Sequence, residues 1–161
     1  MFFVFTYGSL MQGRGNNLYL RGQKFVGSGI ISKHKLFDYV DGNRLTSIFP
    51  VVFETGNEDD KVVGEVWACD DSRLYYLDAL EDEGTLYERK EIVVDVDNGR
   101  KYNCYIYKGI VDTWVSAQGA LFPWIDEGNK WKPINYTKLN KEDLQYILTY
   151  DTDIIKLTEG V

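Results

Sequence analysis

Phe2-Phe3-Val4-Phe5-Thr6-Tyr7-Gly8-Ser9-Leu10 opens the chain, and its reading decides the fold. Aromatic and β-branched residues run to Tyr7 without alternating with polar ones, the pattern of a strand buried on both faces. The run predicts a central strand over Phe2–Tyr7 that breaks at Gly8. A strand entering a glycine turn can aim backbone N–H groups at an anion. Tyr7, Gly8, Ser9 and Leu10 are therefore candidate ligand-binding residues.

Further strands are predicted over Phe25–Ile31, Val51–Glu54, Val62–Ala68, Arg89–Val96 and Lys101–Tyr107, several of them bounded by Gly, Pro or Asx turns. Asn98-Gly99 between the last two points to an antiparallel hairpin through a two-residue type I′ turn. Asp70, Asp71 and Ser72 can cap a helix from Ser72 to about Glu81, and Asn140 with Asp143 opens a second through about Tyr150. Strands dominate and helices are few, which predicts an α+β fold. The 161 residues and 44% hydrophobic content suit one compact domain. No repeat or linker divides it, and the expected layout is a core over about 1–110 with an extension over about 111–161.

The net charge of −7, with no Lys/Arg cluster, argues against nucleic acid or an anionic membrane as partner. Twelve Tyr and four Trp suit a cavity walled by rings with polar tips. Cys69 and Cys104 form no CxxC pair, which favours a reducing, cytosolic setting without disulfides or zinc. Phe2–Phe5 is too short for a signal-peptide core, so the chain reads as soluble and unprocessed.

The helix from Ser72 separates its acids by direction. At about 100° per residue, with Leu74 at zero, Leu77 falls near 300°, Leu80 near 240° and Glu81 near 340°. Asp78 near 40° lies at the edge of this leucine stripe, and Asp82 near 80° and Glu83 near 180° lie outside it. Glu81 is the acid that faces the core most squarely. A carboxylate there loses hydration, its pKa rises, and it can take and return a proton near neutrality. The alternative is a helix that ends before Glu81 and turns the side chain to solvent.

Other residues carry weaker signals. Ser9 as a nucleophile would need a base, and the only histidine, His34, sits between Lys33 and Lys35 in an expected exposed segment. Arg89 can bind a carboxylate or pair with Asp78 or Glu81. Tyr87, Tyr105 and Tyr107 are candidate cavity residues, Tyr107 first, against the ordinary packing role of strand aromatics. Glu58–Lys61 reads as a solvated turn, and no metal-ligand spacing appears. Trp114, Trp124 and Trp131 with Phe122-Pro123 suit either a lid over a barrel mouth or, preferably, the cover of an open sheet edge.

Tyr7-Gly8-Ser9-Leu10 followed by Gly13 and Asn17, then Gly64-Glu65-Val66-Trp67, then Leu77-Asp78-Ala79-Leu80-Glu81 with Tyr87 six and Arg89 eight residues beyond, resembles the gamma-glutamylcyclotransferase-like superfamily, nearest its AIG2-like and gamma-glutamylaminecyclotransferase branch. The order and spacing over residues 1–110 are more specific than any one motif. The resemblance implies a small mixed β-barrel with flanking helices and a cavity at one end. It also implies an acyltransferase or lyase type of reaction without metal or organic cofactor, in which the α-amine of a γ-glutamyl compound attacks its own γ-carbonyl. The products are 5-oxoproline and a free amine. By resemblance Glu81 is the proton carrier and the loop Tyr7–Leu10 holds the glutamyl head. The divergent C-terminal third also suits a binding or regulatory module that keeps the pocket without turnover, and hydrolysis or acyl transfer to another acceptor is a third possibility.

Overall fold

The computed structural model describes residues 1–110, 113, 120–125 and 128–150. Its strands are β1 (Phe2–Thr6), β2 (Lys24–Ser32), β3 (His34–Val40), β4 (Ser47–Glu54), β5 (Lys61–Cys69), β6 (Tyr87–Val96), β7 (Lys101–Gly109) and β8 (Ala120–Pro123). Five close into a barrel in the order β1-β5-β2-β6-β7, and β4-β3-β8 form a second sheet. The barrel is mixed, because β7 meets β1 in parallel at Val4 and Tyr105 while its other pairings are antiparallel. The helices are α1 (Leu74–Leu80) and α2 (Lys141–Thr149). This is the α+β, barrel-based fold that the sequence predicts.

The apolar run behaves as its composition dictates. β1 is flanked by β5 and β7, and Val4, Phe5 and Thr6 are all buried, so successive residues on opposite faces both meet protein. Phe5 joins Val66, Val94, Cys104 and Ile106 in one apolar cluster. Val4 joins Phe37, Val51, Phe53, Tyr87 and Tyr107 in another, into which α1 packs Leu77. With Leu77 wholly buried, its truncation to Ala would cost about 2–5 kcal/mol. Cys69 and Cys104 are free thiols inside these clusters, pushed by burial up to about 11 and about 12.

Three local expectations are corrected. The β6–β7 turn is not type I′, because Val96 pairs with Arg100 and leaves the three-residue loop Asp97-Asn98-Gly99, in which only Gly99 has positive φ (82°). No carboxylate or hydroxyl of residues 70–72 caps α1; a 3-10 turn over Asp71–Arg73 leads into it, and Asp71 takes the N-terminal ammonium at 2.7 Å. His34 is not an exposed side chain. It begins β3, is 3% exposed, and holds the Ser32 carbonyl at 2.7 Å through Nδ1, because strand alternation turns it inward while Lys33 and Lys35 lie outside the core. Burial lowers its pKa.

The C-terminal tryptophans extend the second sheet. β8 pairs with β3, the Trp124 N–H continues the ladder to the Leu36 carbonyl at 3.1 Å, and Trp131 Nε1 donates to buried Asp38 at 2.9 Å. Asp38 also accepts from Tyr136 at 2.7 Å and from the Ser47 hydroxyl. One buried carboxylate thus joins β3, β4 and the segment before α2. Trp114 lies outside the described residues. Asn140 caps α2 as its sequence requires, its side chain accepting from the Asp143 N–H at 2.8 Å.

Candidate active site

A cavity of about 180 Å³ opens where β1 ends. Tyr7, Gly8, Ser9 and Leu10 form one wall, and Glu81, Tyr87 and Tyr107 stand around it with Phe49 and Pro50 of β4. The structure thus brings all seven candidate residues to one pocket. Tyr105 goes elsewhere, lying 4.9 Å beneath the Arg89 guanidinium.

The loop after β1 is braced from behind. The Asn16 side chain donates to Ser9 Oγ at 2.8 Å, the Asn17 side chain to the Leu10 carbonyl at 2.8 Å, and the Gln12 N–H to buried Glu65 at 2.8 Å. Gly8 is required by proximity, since a Cβ there would stand 2.5 Å from Pro50 Cγ. Among the described residues, no acceptor takes a hydrogen bond from the backbone N–H of Gly8, Ser9 or Leu10. Gly8 and Leu10 are nevertheless buried, and a buried N–H without a partner costs about 1–3 kcal/mol. Gly8, Ser9 and Leu10 all line the pocket, and the N–H groups of such a turn are suited to oxygens of a ligand.

Glu81 reaches the pocket by the way α1 ends. The helix stops at Leu80, one residue short of the sequence reading, but the Glu81 N–H still bonds the Leu77 carbonyl at 3.0 Å and keeps the side chain on the leucine face. The chain then reverses at Asp82 (φ 48°) and Gly84 (φ 91°) and enters β6 at Tyr87. Burial alone pushes the Glu81 carboxyl up to about 7. Asp78, three residues earlier, is committed to Arg89 and accepts the Tyr107 hydroxyl at 2.7 Å. No cation pairs with Glu81 among the described residues.

The tyrosines around Glu81 are held neutral. Tyr7 donates its hydroxyl to the Tyr107 carbonyl, and Tyr87 donates to the Pro50 carbonyl at 2.7 Å. Burial first, and for Tyr7 the charge of Glu81 next, drives these phenols above their usual range; Tyr107 is raised by burial and then by its bond to Asp78. Glu81 is therefore the group lining the pocket that titrates near neutrality. Among the described residues no cluster of three or more His, Cys, Asp or Glu is placed to hold a metal, and no helix is long and apolar enough to cross a membrane.

Residues 4–131 match the gamma-glutamyl cyclotransferase, AIG2-like family. The chain belongs to that family. Two relatives carry the name "Putative gamma-glutamylcyclotransferase". The one from Methanocaldococcus jannaschii is 35% identical over 108 residues, 66% of this chain and 83% of that protein. The one from Drosophila melanogaster is 30% identical over 109 residues, 65% of this chain and 67% of that protein. An AIG2-like protein of Mus musculus has the same fold, with a TM-score of 0.59 and 22% identity over 82% of this chain and 88% of the mouse protein. Family membership supports a cyclotransferase-type enzyme.

Several pocket residues carry no sequence signal of their own. Asn16 sits in a polar turn, and Ile48, Phe49 and Leu86 reach the pocket only through tertiary packing. Pro50 is marked only by its contact with Gly8.

Proposed function

We propose that this protein converts a γ-glutamyl amine or related γ-glutamyl compound to 5-oxoproline and a free amine, with Glu81 as the single proton carrier. The observation that carries the reading is the meeting, in one pocket, of the Glu81 carboxyl near 7 with the turn Tyr7–Leu10, where among the described residues no cation pairs with Glu81 and no acceptor takes the N–H groups of Gly8, Ser9 and Leu10.

The substrate's α-nitrogen arrives as an ammonium and cannot attack. Ionised Glu81 removes a proton, the nitrogen adds to the γ-carbonyl carbon, and the five-membered ring closes as that C–N bond forms. Charge then develops on the carbonyl oxygen, and backbone N–H donors such as those of Gly8, Ser9 and Leu10 stabilise an oxyanion or the α-carboxylate without a buried cation. Protonated Glu81 gives its proton to the leaving nitrogen as the old C–N bond breaks. Overall the α-nitrogen loses two protons and the leaving nitrogen gains two, so a carboxyl that loads and unloads near pH 7 is sufficient. Nucleophile and electrophile belong to one molecule, so holding the bent conformer supplies much of the acceleration.

The test is to incubate the protein with γ-glutamyl amines and γ-glutamyl peptides and to resolve the products by chromatography. 5-Oxoproline with an equimolar amine is expected, and Glu81→Gln should lower its rate of release about 10²–10⁴-fold. Free glutamate would indicate hydrolysis, and thermal protection by the compounds without product would indicate a binding module.

A further inference from the structure

We propose that Glu65 is a positioning residue for this reaction: it clamps both ends of the turn Gly8–Met11 and so holds Ser9 and Leu10 against the pocket. The inference rests on the cyclotransferase reading above and adds to it a residue that stands behind the pocket wall rather than in it.

The Met11 N–H bonds the Gly8 carbonyl at 3.1 Å, which makes Ser9 and Leu10 the two central residues of a tight turn. The direction of their N–H groups is then set by where the two ends of that turn are fixed. Both ends lead to Glu65. Before the turn, Thr6 stands opposite Glu65 in the β1–β5 register and gives its hydroxyl to the Glu65 carbonyl at 3.4 Å. The two strands approach closely here, because a Cβ at Gly64 would run into the Thr6 carbonyl. After the turn, the Gln12 N–H donates to Glu65 Oε1 at 2.8 Å. One residue of β5 thus holds Thr6 through its main chain and Gln12 through its side chain, and Tyr7–Met11 span the gap between these anchors.

The side chain of Glu65 is matched to this task by its length. Glu65 is 4% exposed, and the same Oε1 accepts Trp67 Nε1 at 3.3 Å. Lys130 Nζ lies 3.9 Å from Oε2, on a segment tied to β5 by the Val63 N–H on the Asn129 carbonyl at 2.9 Å. That lysine is half-exposed, so its charge contributes little. The bond to the Gln12 main chain is what a shorter side chain loses. A main-chain N–H on a carboxylate is a firmer anchor than one on a neutral acceptor. A displacement of about 1 Å in a group that orients substrate can cost about 10²-fold in rate.

Three substitutions separate reach from charge. Glu65→Asp keeps the charge and retracts it by one methylene, Glu65→Gln keeps the length and an acceptor without the charge, and Glu65→Met keeps only the length. The first measurement is kcat/KM for 5-oxoproline release from the γ-glutamyl compound that turns over fastest in the panel above. Glu65→Gln should stay within about fivefold of wild type, whereas Glu65→Asp and Glu65→Met should fall at least about thirtyfold. Where Glu65→Met does not fold, Glu65→Asp carries the test. The second measurement, which needs no turnover, is amide hydrogen exchange. The peptide over Tyr7–Asn17 should exchange at least about tenfold faster in Glu65→Asp, with the β7 peptide unchanged. Wild-type kcat/KM in Glu65→Asp, Glu65→Gln as poor as Glu65→Asp, or lost activity without faster exchange in the loop overturns the inference and leaves the cyclotransferase reading standing. Wild-type protein that releases no 5-oxoproline from any compound overturns that reading, and the inference with it.

Discussion

Replacing Glu81 with Gln separates the two consequences of its position. Burial moves the carboxyl from its ordinary 4.5 to about 7, a difference of 2.5 (7 − 4.5), and each pH unit corresponds to about 1.36 kcal/mol. Undiscounted, ionising Glu81 in the folded chain costs roughly 3 kcal/mol. The side chain is only half-buried, and solvent at the mouth reduces the figure to about 2 kcal/mol. The folded state holds this proton more tightly than the unfolded chain does. Stability from this group is therefore full below about 4.5, is lost as pH rises through about 7, and stays level above. A glutamine has no proton to lose. By urea unfolding, Glu81→Gln should match wild type near pH 4 and exceed it by about 2 kcal/mol near pH 8, while kcat/KM falls about 10²–10⁴-fold. Wild-type kcat/KM should climb with pH and level above about 7 as the base ionises. Should the stability difference be the same at both pH values, Glu81 is not desolvated and the reasoning fails.

Gly8→Ala places a Cβ 2.5 Å from Pro50 Cγ; overpacking of this kind costs about 1–3 kcal/mol, so kcat/KM should fall at least tenfold while calorimetry still shows a cooperative transition. Asp78→Asn removes the charge that pairs with Arg89 and receives the Tyr107 hydroxyl. Because that pair is partly solvent-exposed, thermal unfolding should register at most about 1 kcal/mol, with a several-fold loss in kcat as the Tyr107 wall loosens. Asp38→Ala strands Trp131 Nε1, the Tyr136 hydroxyl and Ser47; urea denaturation should show a loss of about 2–4 kcal/mol, and a loss below about 0.5 kcal/mol would mean that the network contributes nothing.

The barrel strands were legible because apolar and β-branched runs ended at Gly, Pro or Asx positions, so local pattern and tertiary burial agreed. β3 was not legible. Its run begins at His34 between two lysines and carries Asp38 at its centre, which breaks the apolar signal. Asp38 is accommodated by partners that no short local window contains, Ser47 nine residues away, Trp131 93 and Tyr136 98, whereas His34 is met by the Ser32 carbonyl two residues before it and is turned inward by the strand. Periodicity found the face that Glu81 occupies because the i−4 bond to Leu77 persists past the last residue of α1, and it missed the helix end because Asp82 supplies the reversal with a positive φ that aspartate adopts less often than glycine. The turn after β1 was readable from Gly8, whereas the places of Ile48, Phe49 and Leu86 on the pocket lining were not, since the first two come from β4 and the third lies in the turn after α1.

The lack of a Lys or Arg on the pocket lining among the described residues and the raised Glu81 carboxyl are one design feature. A Lys or Arg beside the loop would bind the substrate's α-carboxylate strongly, but a positive charge within a few ångströms of a carboxylate lowers its pKa by about 1–3 units. Glu81 would then stay ionised through the neutral range and could take a proton without holding it long enough to return it. Peptide dipoles escape this conflict, because N–H groups of a turn stabilise an anion at short range and carry no net charge to Glu81. Asp78 draws Arg89 into an ion pair and accepts the Tyr107 hydroxyl, so the guanidinium that meets this wall is already paired with a carboxylate. On this logic Ile48→Lys, at an exposed position on the pocket lining, should shift the rising limb of the pH–rate profile to lower pH while slowing turnover at pH 7. An unchanged limb in this variant would show that the pocket charge does not govern the base.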